Sequence, residues 1–381
     1  MATPEAEPAP TPEEPAQPRG EPTRARPGLW RRFVDGALLG QEDATALGMC
    51  RAAIVLVFTL SMLSHLGAVA EYFSDDSVIF GEFARKAFHS RWSLFFYVRE
   101  AWAVRLIYAV GVLAHVCWMF GLFTRLSSVV AWLVWISMVG RNPLLYSMPD
   151  QWHSALAFFL MLLPTGRGFS LDARWRGLGG TVPVWCRRII QLQLAALYVN
   201  AAMAKTGDTW RVTGEAMYYA AASPYNRHFL INEWLAALQP YVLKPATFAV
   251  LYWEMTFGAF VVFEWFRESS RARGLRYVQL GLALIGALVY AWSSSLVILS
   301  SAAVLAALVV LDWFKRATGW RWIPSARWLF LGFGVLMHAG IQLLLYVAWF
   351  SPLTVATYLA FLHPSEATRL REWARARLTR T

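Results

Sequence analysis

Along most of the chain, apolar residues come in long blocks and do not alternate with polar ones. The blocks lie near residues 46–68, 102–121, 126–141, 151–165, 185–205, 245–266, 277–292, 294–313, 327–348 and 352–363. Most are long enough to cross a hydrocarbon core. In lipid the backbone must satisfy its own hydrogen bonds within each segment, so every block is predicted as a helix. The pattern therefore predicts an all-α fold, a polytopic membrane helix bundle of nine or ten spans. Only Trp292-Ser293-Ser294-Ser295 divides the seventh block from the eighth, and the last block is short enough to be re-entrant.

The polar stretches set the boundaries. Residues 1–30 are rich in Pro, Glu, Ala and Arg and contain no apolar run, which predicts a disordered tail. That segment has neither a signal-peptide nor a transit-helix pattern, so the first span is expected to act as an uncleaved anchor. Residues 31–365 then form the transmembrane domain, and residues 366–381 a basic tail. With the N-terminus inside, alternate segments hold 24 Lys and Arg on the inner side and 9 on the outer side. This positive-inside bias places both termini in the cytoplasm and favours an even number of spans. Two outer segments are long. Residues 71–101 mix Asp75, Asp76, Glu82, Arg85 and Lys86 with aromatic residues, as an interfacial element does. Residues 206–241 carry Trp210, Tyr218, Tyr219, Tyr225 and Trp234. Both segments suit either a cap over a pocket or an aromatic belt at the headgroups.

Composition sharpens this picture in three ways. A hydrophobic content of 57% excludes an ordinary soluble domain, so the net charge of +11 reads as loop charge, and no nucleic-acid motif accompanies it. Cys50, Cys117 and Cys186 lie in or beside apolar blocks without CxxC or metal-like spacing, so structural thiols and no metal are expected. Of 35 basic residues only Lys86, Lys205, Lys244 and Lys315 are lysines. Lys205 ends the fifth block, and an ammonium can lose its proton when desolvated whereas a guanidinium effectively cannot.

Direction and helical rise place the remaining polar residues. Asn200 falls about 7 Å below Lys205. The outer third gathers His65, Arg105, Arg141, Asn142, Asp150, His153, Lys205 and Asp208, and polar groups converging between helices are a candidate site. Each also has a plain alternative: Lys205 snorkelling, His153 bonding at its helix start, Arg141 anchoring at the interface. Glu254 and His338 lie deeper, at similar depth, as a structural pair or as a proton- or headgroup-binding pair. Gln191, Gln193, His115 and Glu264 belong to the inner half as helix-to-helix hydrogen-bonding groups.

Several short segments carry a resemblance. They are Tyr72-Phe73-Ser74-Asp75-Asp76, Gly140-Arg141-Asn142-Pro143, Trp152-His153-Ser154 and Gly168-Phe169-Ser170-Leu171-Asp172-Ala173. They continue with Gln191-Leu192-Gln193-Leu194, Ala204-Lys205, Asp208-Thr209-Trp210, His338 and Tyr358-Leu359-Ala360-Phe361-Leu362. In order and spacing, over about residues 45–365, the chain resembles the HTTM family, the transmembrane domain shared with vitamin K-dependent gamma-carboxylase. The resemblance implies a bacterial inner-membrane protein and a reduced quinone, a vitamin K-like hydroquinone, as cofactor. It implies that Lys205 is the base and His153 a supporting catalytic residue. Arg141, Asn142, Asp150, Trp210, Tyr218, Glu254 and His338 are then expected around a substrate. The implied partners are membrane lipid, a quinone or lipid-like ligand, and a peptide or protein substrate.

Two departures matter. Trp152 stands where the carboxylase has an asparagine before the histidine, and Thr206 stands where it has a bulky apolar residue after the lysine. The carboxylase's large extramembrane domain has no counterpart, so carboxylation of a protein substrate is not expected. The leading expectation is a reduced-quinone-dependent carboxylase or oxygenase-like enzyme with an outward Lys/His site. The alternatives are a lipid- or ion-handling transporter built on Glu254 and His338, or a non-catalytic factor for maturation of a secreted peptide.

Overall fold

The structure, a computed structural model, describes residues 34–225, 232–269, 296–319 and 325–378, with Gly28, Arg31 and Gly281. The expected disordered tail and the span at 277–292 fall almost wholly outside the described residues. Ten helices carry the argument: α1 (Thr45–Ser64), α2 (Ala101–Phe120), α3 (Thr124–Arg141), α4 (Met148–Leu162) and α5 (Trp185–Ala204), then α6 (Lys244–Ser269), α7 (Leu296–Thr318), α8 (Ala326–Leu344), α9 (Phe350–Thr357) and α10 (Pro364–Leu378). The all-α expectation holds, with one addition: β1 (Gln41–Asp43) pairs antiparallel with β2 (Thr181–Pro183), Glu42 opposite Val182.

Four of the described helical segments are both long and apolar enough to cross a membrane: Thr45–Ser64, Ala101–Phe120, Gln239–Glu268 and Ala326–Leu344. That is fewer than the nine or ten spans expected. Part of the difference lies at 277–292, almost wholly outside the described residues, and part in helices such as α4, with 15 residues, and α5, which carries Arg187, Arg188, Gln191, Gln193 and Asn200 along its length. α2 shows why the apolar blocks lack alternation. It buries Val104, Tyr108, Gly111, Ala114 and Trp118 yet exposes Trp102, Leu106, Val110 and Leu113. A helix apolar on both faces has one face for protein and one for lipid.

Helix α1 packs on α2, α2 on α3 and α3 on α4; α6 packs on α5 and α7. The short α9 joins the two groups by contacting α1, α5 and α8. A large aromatic core, with Trp118, Tyr198, Trp253, Phe257, Phe260 and Phe361, runs between them. A smaller one (Met62, Phe73, Phe95, Tyr108, Trp135, Met138) closes the end where α1 and α3 finish, here termed the upper end.

The lower end is held by buried arginines. Arg51 donates to the carbonyls of Thr165 at 2.8 Å and Phe169 at 2.6 Å. Arg187 bridges Glu42 and Glu268, each at 2.8 Å, and Arg188 reaches Glu268 at 2.6 Å. Arg327 donates to Glu366 of α10 at 2.5 Å. Several charges that read as inner-loop arginines are therefore struts beneath the bundle. The Gly168–Ala173 segment has a structural role here too. Asp172 accepts from the Thr124 N–H and hydroxyl, both at 2.7 Å, and from the Phe123 N–H at 3.0 Å, satisfying the start of α3. Burial pushes its carboxyl up, but these bonds outweigh that and hold it below the usual carboxylate range. At Gly48 a Cβ would lie 1.8 Å from the Gly168 carbonyl, so only glycine lets the loop touch α1.

Candidate functional site

Lys205 is the residue after α5, where the helix ends and the chain turns into Thr206 and Gly207. Its ammonium points inward. Nζ lies 2.5 Å from Oε2 of Glu254, and the side chains are only 18% and 9% exposed. Nζ also sits 5.0 Å from the centre of the Trp210 ring, and Arg211 donates to the Lys205 carbonyl at 2.9 Å. A snorkelling lysine would extend its tip away from the protein, and this one does not. Glu254 comes from the middle of α6, so the pair ties the end of one helix to the body of another.

The expected partnership of Glu254 with His338 is not formed. His338, on α8, has Nε2 2.6 Å from the Tyr198 hydroxyl and Nδ1 3.3 Å from the Ser351 hydroxyl. Tyr198 lies 2.6 Å from the Tyr358 hydroxyl in turn. A hydrogen-bonded line thus crosses from α8 through α5 to the segment after α9, beside the Lys205–Glu254 pair. Periodicity did not single out Tyr198 or Tyr358, although Tyr198 lies about two helical turns before Lys205.

His153 stands elsewhere. Its ring is sandwiched between Phe58 and Trp135, each with centroids 3.6 Å away, and it is 3% exposed. It makes an edge contact with the His115 ring at 6.1 Å, and Nε2 of each histidine lacks a hydrogen-bond partner among the described residues. His153 lines a cavity of about 640 Å³ at the upper end, between α1, the start of α4 and the chain around residues 342–353. Asp150 and His65 line it as well; Lys205, Glu254 and Trp210 do not. The outer polar cluster is therefore two centres and not one.

Several of the remaining expected site residues make bonds that brace the fold. Arg141 is fully buried and donates to the carbonyls of Ser74 at 2.5 Å and Ile79 at 2.9 Å and to the Ser77 hydroxyl at 2.9 Å. Asn142 donates to the Tyr72 carbonyl at 3.3 Å. Both hold the segment after α1 in place, which accounts for the Gly140-Arg141-Asn142 spacing: a Cβ at Gly140 would meet the Trp92 carbonyl at 2.1 Å. Tyr218 packs with Met217, Leu235 and Trp210 in a small apolar cluster above α6. Asp150 takes the Ser147 N–H at 2.8 Å in a capping box that starts α4. Arg105 and Asp208 are exposed. In the lower half Gln191 bonds the Ala360 carbonyl, Arg188 and Trp265, as a helix-linking residue should, whereas Gln193 finds no partner among the described residues.

No curated protein and no solved structure matches this chain. A family model does: the HTTM domain, over residues 40–275. The match contains Arg141, Asn142, Asp150, His153, Lys205, Trp210, Tyr218 and Glu254, and ends before His338 and Tyr358. It covers more than half of the chain and includes the whole Lys205–Glu254 pair, and with long apolar helices on both sides of that pair, this membrane protein belongs to the HTTM domain family.

Proposed function

We propose that the protein is a membrane enzyme acting with a reduced quinone, its proton-accepting centre formed by Lys205 and Glu254. One observation carries the reading: the chain's inward-turned lysine meets a carboxylate at 2.5 Å, with both side chains largely withdrawn from solvent. The resemblance to the carboxylase membrane domain supports the same residue. The residues present suit such a ligand, since the Trp210 ring offers a flat face 5.0 Å from Nζ and the ammonium keeps some exposure. When bound, a hydroquinone would supply an acidic hydroxyl and reducing electrons.

The chain's own part is proton handling. For Lys205 to act as a base it must first give up a proton, and Oε2 of Glu254 is the group in place to receive it. The resulting amine can then take a proton from a hydroxyl set against Trp210. Arginine at this position would keep the ion pair and lose the base. His153 keeps a proposed role as a polar wall of the separate cavity, on the same outward face that the loop charges assign to Lys205.

The test is quinone oxidation, or incorporation of labelled bicarbonate, by purified protein given a reduced naphthoquinone. Lys205→Ala and Lys205→Arg should each lose about 10²–10⁴ in rate, the usual worth of a positioned proton-transfer group. Full activity in both variants would sink the assignment. A second reading, proton or ion movement, draws on the hydrogen-bonded line Tyr358–Tyr198–His338–Ser351. It requires flux in proteoliposomes that falls with Tyr198→Phe, and is rejected by unchanged flux.

A further inference from the structure

The cavity at the upper end differs in charge from the rest of the molecule. The chain carries 35 Lys and Arg against 24 Asp and Glu, yet no Lys or Arg lines this cavity. Its carboxylate is Asp150. Elsewhere Glu42, Asp172, Glu254, Glu264 and Glu268 each meet a Lys or Arg, whereas half-buried Glu215 accepts from the Thr213 hydroxyl. Asp150 meets no Lys or Arg among the described residues; its carboxylate accepts from Ser147 at the helix start and faces the His65 ring across the cavity wall. A carboxylate partly withdrawn from water without a cation is an unbalanced charge.

The walls supply what a cation needs. Tyr72, Tyr346 and Trp349 line the space, and aromatic rings attract an ammonium through their quadrupole. His65 adds an acceptor: its Nδ1 lies 2.9 Å from the Ser61 carbonyl, which can only accept, so the neutral ring carries its proton there and leaves Nε2 free to receive one. A volume of about 640 Å³ suits a small organic ligand or a lipid headgroup.

We propose that this cavity, lined by Asp150 and aromatic rings, binds an organic ammonium group. Lys205 does not line this cavity. The source is either a soluble amine or the ammonium of a phospholipid headgroup. Both share the chemistry that the walls recognise.

The test uses the full chain in a maltoside detergent and calorimetric titration with choline, ethanolamine and the neutral dimethylbutanol isostere of choline. The two amines should bind saturably and the isostere should not. Asp150→Asn, which retains an oxygen for the Ser147 cap, should weaken choline binding at least about tenfold, as loss of a charged partner does. Trp349→Leu, remote from that helix start, should weaken it too. Repetition in nanodiscs with and without phosphatidylethanolamine separates the sources: competition with choline supports the headgroup, and undiminished choline binding supports a free amine. No saturable binding of either amine, equal binding of the isostere, or wild-type affinity in both variants overturns the proposal.

Discussion

Replacing Lys205 by arginine separates a structural ion pair from a reactive one. At 2.5 Å, with an effective dielectric of about 20, the Lys205–Glu254 attraction is roughly 7 kcal/mol. Withdrawing each ion from water costs several kcal/mol, so the intact pair contributes little net stability. Deleting one partner is different, because it strands the other charge, at about 3–5 kcal/mol for a buried pair. The lysine side chain is 18% exposed, so water relieves part of that penalty and the lower end, about 3 kcal/mol, is expected for Lys205→Ala. Lys205→Arg retains a cation for Glu254 and should stay within about 1 kcal/mol of wild type in denaturant unfolding in mixed micelles. Its quinone-dependent activity should nevertheless fall as far as that of the alanine variant, because a guanidinium does not surrender its proton. The double variant Lys205→Met with Glu254→Leu should be more stable than either single one. Two results would refute the reasoning: wild-type activity in Lys205→Arg, or additive effects in the double-variant cycle, which would show that the two side chains do not meet.

Three further outcomes follow from the bracing. Arg187→Ala should destabilise the lower end by about 3–5 kcal/mol, since it leaves Glu42 and Glu268 facing each other across the gap; thermal unfolding in detergent reads this out. Gly48→Ala should lower folded yield on size exclusion, because the added Cβ overlaps the Gly168 carbonyl. Asp172 has its carboxyl held below the usual range, so its contribution is present above the unfolded-state value and is lost as pH falls through the folded one. Wild type should therefore lose stability relative to Asp172→Asn as the medium is acidified below the ordinary carboxylate range, and parallel pH curves for the two proteins would contradict the capping role.

Helix was legible from the apolar blocks because lipid leaves the backbone few other ways to satisfy its N–H and C=O groups. Lys205 was legible as an oddity because lysine is rare among so many arginines. What the blocks could not show was which face of each helix meets protein. A surface facing lipid and a surface facing a core have the same composition, as α2 shows with Leu106 outside and Tyr108 inside. Partner choice was hidden for the same reason. Depth along a helix placed Glu254 level with His338, but the angle around α6 decides which neighbour Glu254 meets, and only the packing of α5 against α6 turned it towards Lys205. Depth likewise gathered Lys205 with His153, while rotation about α4 sent His153 between Phe58 and Trp135, to a different cavity. The sequence by itself determined the membrane class, the helices and the unusual lysine, because those follow from composition and rise along one axis. The tertiary structure decided that the lysine is paired, that several arginines read as inner-loop charges are buried struts, and that the polar residues read as one outer cluster form two centres. Those depend on how helices rotate against one another.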